Sequence, residues 1–341
     1  MAEAPVPSLS LPGLRPFVEQ QPWEQGFARR FDAAVVPQLG LLELARLRRR
    51  RQILLCRLAG LFCACLALAL LWAGIEFDMP ELLLEVCGGV VIACGLLAYY
   101  LPVRQVQELR QAYRDQVAGL LLPVALDFVG GIAHQRKAEP EKVAALAEFE
   151  RLGLLPFANR WAVDDLLTGA DQGLAWEMAE ITATERRATR RGHRDRVIYR
   201  GVVTRLRRPG KERQPLLLLS PRLREPPAAP AGTQRLVPEQ SALSGRAIAW
   251  AADADALGRC IPPACEAALA QWIDTLQGPF ALAFAGENLD LLLPSAQDHF
   301  TGGDLVRPVA EIEADLHRLL AQVTWPRRLV AALQPAGTLA A

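Results

Sequence analysis

Lysine is nearly missing from this 341-residue chain. Lys137, Lys142 and Lys211 are the only three, so arginine supplies the rest of the 38 basic residues. Together with abundant Ala and Leu, that bias suggests a GC-rich bacterial genome rather than selection for arginine chemistry. Excess charge of either sign is missing too. Thirty-seven acids balance the bases to a net +1, which excludes a strongly basic nucleic-acid packager and a broadly disordered acidic chain. Aromatics are only 6%, so the apolar half of the composition is mostly Leu, Ala and Val. There is no GxSxG, no phosphate-cradling loop, no GxGxxG and no HExxH. The sequence therefore offers no catalytic residue, no cofactor and no metal.

The cysteines and histidines support that absence. His134, His193, His299 and His317 are scattered. Cys260 and Cys265 are separated by IPPA, and a zinc site needs two such pairs or histidines at ligand spacing. The role of this pair stays open. The other five cysteines lie in or beside two apolar runs, where cysteine behaves as a small hydrophobe. The first 52 residues are polar or amphipathic, which does not fit a secretory signal.

Two long uncharged runs stand out. Leu58 to Ile75 and Val86 to Val103 each hold eighteen residues without a charge, and a helix of about 20 residues crosses a hydrocarbon core. Arg46, Arg48, Arg49, Arg50 and Arg51 precede the first, and Arg104, Arg110 and Arg114 follow the second. The loop between them holds Glu76, Asp78, Glu81 and Glu85. By the positive-inside rule, both termini are expected in the cytoplasm. The expectation is an integral protein of the bacterial inner membrane, divided as 1–52, a transmembrane hairpin at 53–103 and a cytoplasmic domain at 104–341. Ahead of the runs, Phe27, Phe31, Val35, Leu39 and Leu42 recur at helical spacing. Packing on the protein's own cytoplasmic domain is favoured for this stripe over lying on a bilayer, because Glu24, Asp32 and Glu43 dilute its basic character. Pro37 should kink that helix.

Beyond 104, helices and strands mix without β-α-β alternation, which predicts an α+β domain with a largely antiparallel sheet. Strands are expected in 173–178, 196–203, 215–220 and 247–251. A turn at Arg208–Lys211 would join the second and third as a hairpin. A second hairpin is expected at Gly286–Asn288, between 280–285 and 289–293. Proline-rich 224–232 reads as a linker that splits the domain.

The segment FDAAVVPQLGLLELARLRRR before the paired runs, DLLTG at Asp165–Gly169, LAWEMAEI, VIYRG at Val197–Gly201 and AIAWAADADALGRCIPPA together resemble the bacterial proteins grouped as domain of unknown function 3137. That resemblance implies a bacterial membrane protein without an assigned activity, and it supplies no catalytic residue.

Two constellations can carry function. Arg186 to Arg213 holds twelve basic residues against Asp195 and Glu212. Within it Arg186, Arg187, Arg190, Arg191, Arg194 and Arg196 are candidates for contact with anionic lipid or an acidic protein partner. Tyr199 is the one aromatic there, which disfavours nucleic acid. The second constellation is Asp164, Asp165, Glu177 and Glu180, an acid–base or cation set if they converge; turn chemistry and exposed strand faces are the simpler explanation. The expected role is thus a membrane-anchored binding or scaffold protein. The alternative is a membrane-associated enzyme of unknown reaction working through the carboxylates around Asp165 and Glu177.

Overall fold

A computed structural model describes residues 13–76, 81–155, 158–189, 192–223, 232–236, 241–253, 255–276, 278–295 and 297–334. Two compact units emerge: 1–128 with 301–319, and 129–300 with 320–341.

The first unit is helical. A short α1 (Phe27–Arg30) leads through a π-helical turn at Phe31–Val35 into α2 (Val36–Glu76). The widened turn lies immediately before Pro37, which has no N–H to give the preceding turn and whose ring crowds it. The helix therefore absorbs the proline without breaking. Phe27, Phe31, Val35, Leu39 and Leu42 are all buried. They belong to the same core as Tyr113, Val117, Leu121 and Ala125 of α3 (Glu81–Val129). Phe27 meets Phe128 edge-on at 5.1 Å and Phe17 at 5.0 Å. Segment 301–319 completes the unit. Gly303 lies so close to α3 that a Cβ there would sit 2.6 Å from Val117 Cγ2. Arg46, counted above among the topology-setting arginines, is instead buried. It holds Glu43 through Nε at 2.8 Å and the Leu305 carbonyl at 3.1 Å.

Among the described residues no helix is long and apolar enough to cross a membrane. This overturns the expected transmembrane hairpin, the membrane as an integral partner, and the inner-membrane placement with both termini cytoplasmic. Where side chains are described, the uncharged run of α2 extends only from Leu58 to Leu66, and the stretch before it is rich in arginine. In α2 the eighteen-residue window ending at Leu66 begins at Arg49 and also takes in Arg50, Arg51 and Arg57. Each arginine is costly at bilayer depth. The loop 77–80 and the side chains of 74–88 and 90–102 lie outside the described residues, as do those of 67, 70 and 71. On α2, Leu54, Leu55, Leu58, Leu61, Phe62 and Trp72 are exposed.

The second unit is built on a seven-stranded sheet, and every pairing among the described residues is antiparallel. Its strands are β1 (Ile132–Arg136), β2 (Arg160–Asp171), β3 (Leu174–Thr189), β4 (Gly192–Leu219), β5 (Gln234–Leu236), β6 (Ile248–Ala251) and β7 (Ala281–Pro294). The order is β1-β2-β3-β4-β6-β5, with β7 also on β4. Leu216 to Leu219 are all buried, so this part of β4 is covered on both faces. One face packs on α4 (Ala145–Arg151), where Phe149 and Leu146 meet Val163, Ile181, Val203 and Leu292. The chain also forms α5 (Asp255–Cys260) and α6 (Pro263–Asp274), then α7 (Glu313–Val323) and α8 (Trp325–Leu333). Within this unit α6 packs on α8, and α8 reaches β3.

Both expected hairpins are replaced by one long ribbon. β4 runs unbroken past Arg208–Lys211, and β7 runs past Gly286–Asn288. The two strands pair on both sides of that point, Gly201↔Pro294 to Arg207↔Asn288 and Leu216↔Phe284 to Leu219↔Ala281, with the register shifting between. The extra residues all lie on β4, which passes from Arg207 to Leu216 while β7 passes only from Asn288 to Phe284, so the turn-forming residues of β4 are taken up as a bulge. Opposite it, Gly286 of β7 takes a left-handed φ of +59. The 224–231 part of the expected linker lies outside the described residues.

Candidate functional site

The β2–β3 turn sets the geometry of the carboxylates. Gln172 and Gly173 have φ of 49 and 79, the two left-handed positions of a two-residue hairpin. From Asp171↔Leu174 that register places Asp165 directly opposite Glu180. The register then shifts between Val163 and Asp165, leaving Asp164 at the irregularity. Asp165 and Glu180 therefore share one face of the sheet, with Leu167 and Met178 beside them. Glu177 points to the other face, because side chains alternate along a strand.

Asp165 and Glu180 are 7% and 1% exposed. His134, paired with Leu167 across β1–β2, brings Nε2 to 2.7 Å from Asp165 Oδ1. The backbone N–H of His299 donates to Glu180 Oε1 at 3.1 Å. Arg200 of β4 approaches the same oxygen at 3.8 Å and pairs with Asp298. Gln322 closes the back of the group. Its Oε1 accepts from the Phe300 N–H at 3.0 Å, and its Nε2 lies 3.0 Å from His299 Nδ1. The ring of Trp325 meets His299 at 5.7 Å. Burial pushes the Glu180 carboxyl up to about 8; the His299 amide and Arg200 pull it down, while Asp164 and Asp165 push it further up. Such a group holds a proton near neutral pH. His134, with its side chain 24% exposed, and Arg200, at 33%, are the members of the group that reach water.

Glu177 does different work. It accepts the Ala145 N–H at 2.9 Å, satisfying one of the orphan donors at the start of α4. Beside it, Arg205 is opposite Glu177 in β3 and opposite Asp290 in β7. Arg205 makes a two-pronged bond to the fully buried Asp290, at 2.7 and 2.8 Å, and its Nη1 donates to the Ala144 carbonyl at 2.8 Å. This row of charges crosses three strands and ties down α4. The four sequence-predicted acids thus divide: Asp165 and Glu180 converge, Asp164 lies beside them, and Glu177 belongs to the opposite face. Sequence reasoning missed His134, Arg200, Asp298, His299 and Gln322. The Gln172–Gly173 turn was the signal available for the Asp165–Glu180 pair, and nothing local foretold the rest.

The arginine-rich segment also divides. Arg200 and Arg205 are the partly and fully engaged members just described. Arg208 donates to the Cys260 carbonyl at 3.3 Å and lies 4.8 Å over the Phe284 ring. Arg186, Arg187, Arg194 and Arg196 are exposed on an arm formed by the ends of β3 and β4. Arg190 and Arg191 lie outside the described residues. The arm is real ribbon, with Glu185↔Arg196 to Thr189↔Gly192 in register, while β2 stops at Arg160↔Thr184 and β7 at Gly201↔Pro294. Asn159 anchors its base. Its Nδ2 donates to the Arg186 carbonyl at 2.9 Å and its Oδ1 accepts the Arg186 N–H at 2.8 Å. Asp195 lies 3.5 Å from both Arg160 and Arg186, and Glu185 pairs with Arg187 at 2.7 Å. Val197 is 60% exposed among these charges. Cys260 and Cys265 are both buried, and Cys265 Sγ lies 3.4 Å from the Leu333 carbonyl.

These features define an α+β protein with a buried polar group in its sheet and a basic ribbon extending from it. No protein family matches the sequence, and no curated protein does. The crystal structure of the mycobacterial trehalose monomycolate transport factor A, TtfA, is similar over 61% of this chain and 91% of its own, at 13% identity and a TM-score of 0.33. That likeness is too slight to carry an argument.

Proposed function

We propose that this chain is a binding protein without catalysis, and that the β3–β4 arm takes an acidic protein partner. The observation that carries the reading is the arm itself. Among the described residues, Arg186, Arg187, Arg194 and Arg196 stand against Glu185 and Asp195 on a ribbon that outruns both neighbouring strands. Charges carried on a paired ribbon lose less backbone freedom on contact than charges on a loose loop. The exposed Val197 offers an apolar contact amid the charge. Against the enzyme reading, Glu177 serves the start of α4, and Asp165 and Glu180 are enclosed by protein.

The test is fluorescence anisotropy with a labelled peptide of alternating Glu and Asp. Binding should weaken steeply as salt rises, since the Debye length falls from about 10 Å at 0.1 M to about 3 Å at 1 M. Replacing Arg186, Arg187, Arg194 and Arg196 with Ser should remove most of the binding. Equal binding by that variant would defeat the reading. Tighter, arm-dependent binding to duplex DNA or to vesicles with anionic lipid would reassign the arm to that ligand.

A further inference from the structure

The arm formed by β3 and β4 has two backbone edges, and they are not equally open. The Asn159 side-chain amide donates to the Arg186 carbonyl and accepts the Arg186 N–H, so both backbone groups of Arg186 point away from β4. In an antiparallel pair, opposite residues alternate between bonding each other and turning outward. Arg186 stands opposite Asp195, and Asp195 therefore turns its own N–H and C=O away from β3. By the same alternation His193 and Val197 turn outward too. On the β3 side, the Asn159 amide fills the place of a further strand. On the β4 side, β7 ends at Gly201↔Pro294, and the Ser295 N–H takes the Arg200 carbonyl at 2.9 Å. Beyond that point, from Val197 back to His193, every residue is exposed, and among the described residues nothing pairs with the outer edge.

The two faces of this edge differ in chemistry. Arg194 and Arg196 share one face of the ribbon, opposite Arg187 and Glu185. Glu185 is taken by Arg187 at 2.7 Å. That leaves Arg194 and Arg196, both on the open strand, without an ion pair among the described residues. The other face carries His193, Asp195 and Val197. There Asp195 is answered by Arg160 and Arg186, each at 3.5 Å, and Val197 is an exposed apolar residue. A strand laid along β4 meets positive charge at alternate positions and no net positive charge at the positions between. An acid directly opposite Arg194 or Arg196 is stabilising, and an acid opposite Asp195 is repelled.

We infer that the acidic partner takes the arm by adding an extended segment to the outer edge of β4, and that this segment alternates acidic with β-branched apolar residues. The inference rests on the acidic-partner reading of the arm and deepens it. An unpaired row of backbone groups is a template for another chain. Main-chain bonds to Asp195 and its alternate neighbours supply affinity, and the alternating side chains supply selectivity. Glu or Asp falls opposite Arg194 and Arg196. Val or Ile falls opposite Val197 and keeps negative charge away from Asp195.

Two labelled octapeptides of equal composition make the test, by fluorescence anisotropy on the full chain. One alternates Glu and Val; the other carries its Glu residues in one block and its Val residues in the next. The alternating peptide should bind about tenfold more tightly, the scale of one or two backbone hydrogen bonds. Methylating alternate amides removes the N–H donors of one peptide edge and leaves the charge intact. One methylation frame should therefore abolish binding, and the other should preserve it. In the protein, Asp195→Pro removes an outward N–H together with a negative charge, and an edge strand tolerates proline at such a position. Asp195→Asn removes the same charge and keeps the N–H. Strand addition predicts that Asp195→Asn binds the alternating peptide no less tightly than wild type, and Asp195→Pro about tenfold more weakly. Charge attraction alone predicts equal tightening in both. Equal binding of the two peptides, an equal effect of both frames, or equal binding by the two Asp195 variants would overturn strand addition. If the Glu and Asp peptide then still bound through the arm, the acidic-partner reading would stand without it. No binding by any of these acidic peptides would defeat both.

Discussion

Asp165 and Glu180 stand opposite one another across β2 and β3, yet they are held differently: Asp165 by His134 at 2.7 Å, Glu180 by the His299 amide at 3.1 Å. The charged Asp165, reached by a partly exposed imidazole, helps to keep its buried neighbour protonated. An unfolded chain releases the Glu180 proton near its ordinary value of 4.5, and the folded chain near 8. Between those values the folded state binds more protons, so this group's contribution to stability falls as pH rises. Below 4.5 and above 8 it is flat. Glu180→Gln keeps an acceptor for the His299 amide and removes the titration. The unfolding free energy of the variant relative to wild type should therefore grow between pH 4.5 and pH 8 and then level off. A difference that does not change with pH in denaturant titrations would contradict the protonated assignment.

Arg205 and Asp290 predict a stronger effect. Removing one member of a buried pair leaves an uncompensated charge, at a cost of about 3–5 kcal/mol. Arg205→Met should cost that much in chemical denaturation. Adding Asp290→Leu should restore most of it, because a well-packed apolar pair can replace a buried ionic one. Failure of the double variant to recover would mean that the Ala144 carbonyl bond, and not the ion pair, matters most.

Gly201 has no room for a side chain. A Cβ there would lie 2.2 Å from the Leu293 carbonyl oxygen and 2.6 Å from the Tyr199 hydroxyl. The carbonyl belongs to the β4–β7 ladder and has nowhere to retreat. Gly201→Ala should cost about 1–3 kcal/mol, the range for overpacking, visible as a lowered unfolding midpoint. Gly153→Ala serves as a comparison in which no neighbour lies within 4 Å and only the backbone at φ +67 resists. A smaller loss in Gly201→Ala than in Gly153→Ala would refute the steric account.

Asn159 should govern the arm's rigidity. Its two bonds to the Arg186 backbone are partly exposed, so Asn159→Ala should cost at most about 1–2 kcal/mol globally. Amide exchange, however, should speed up across 185–197 far more than in Val202–Leu206 of the same strand. Uniform acceleration would show that the clamp serves the whole sheet.

Local chemistry made part of this legible. The Gln172–Gly173 turn implies the register that joins Asp165 to Glu180, and the spacing of Cys265, Leu269, Trp272, Ile273 and Leu276 marks the buried face of α6. The stripe from Phe27 to Leu42 likewise names residues that are buried. Other signals misled because they report local preference alone. Pro209-Gly210 and Gly286-Glu287-Asn288 favour turns, but each strand has the other as partner, and ladder bonds on both sides of the kink outweigh a reversal. The arginines of 186–213 form one cluster in sequence only. Strand alternation sends Arg200 and Arg205 to opposite faces, and each finds a buried acid or carbonyl that lies far away along the chain.

By itself, the sequence determined the mixed antiparallel class, the long apolar content of α2 and α3, and the basic character of the arm, because periodicity, hydropathy and charge are properties of neighbouring residues. Tertiary structure alone decided which arginines stay available and which carboxylates meet. It also decided that His299 and Gln322 would close over Glu180. Those outcomes depend on residues dozens to more than a hundred positions apart, brought together by strand pairing. The free energy of a charge is set by what surrounds it after that pairing, not by the residues beside it in the chain.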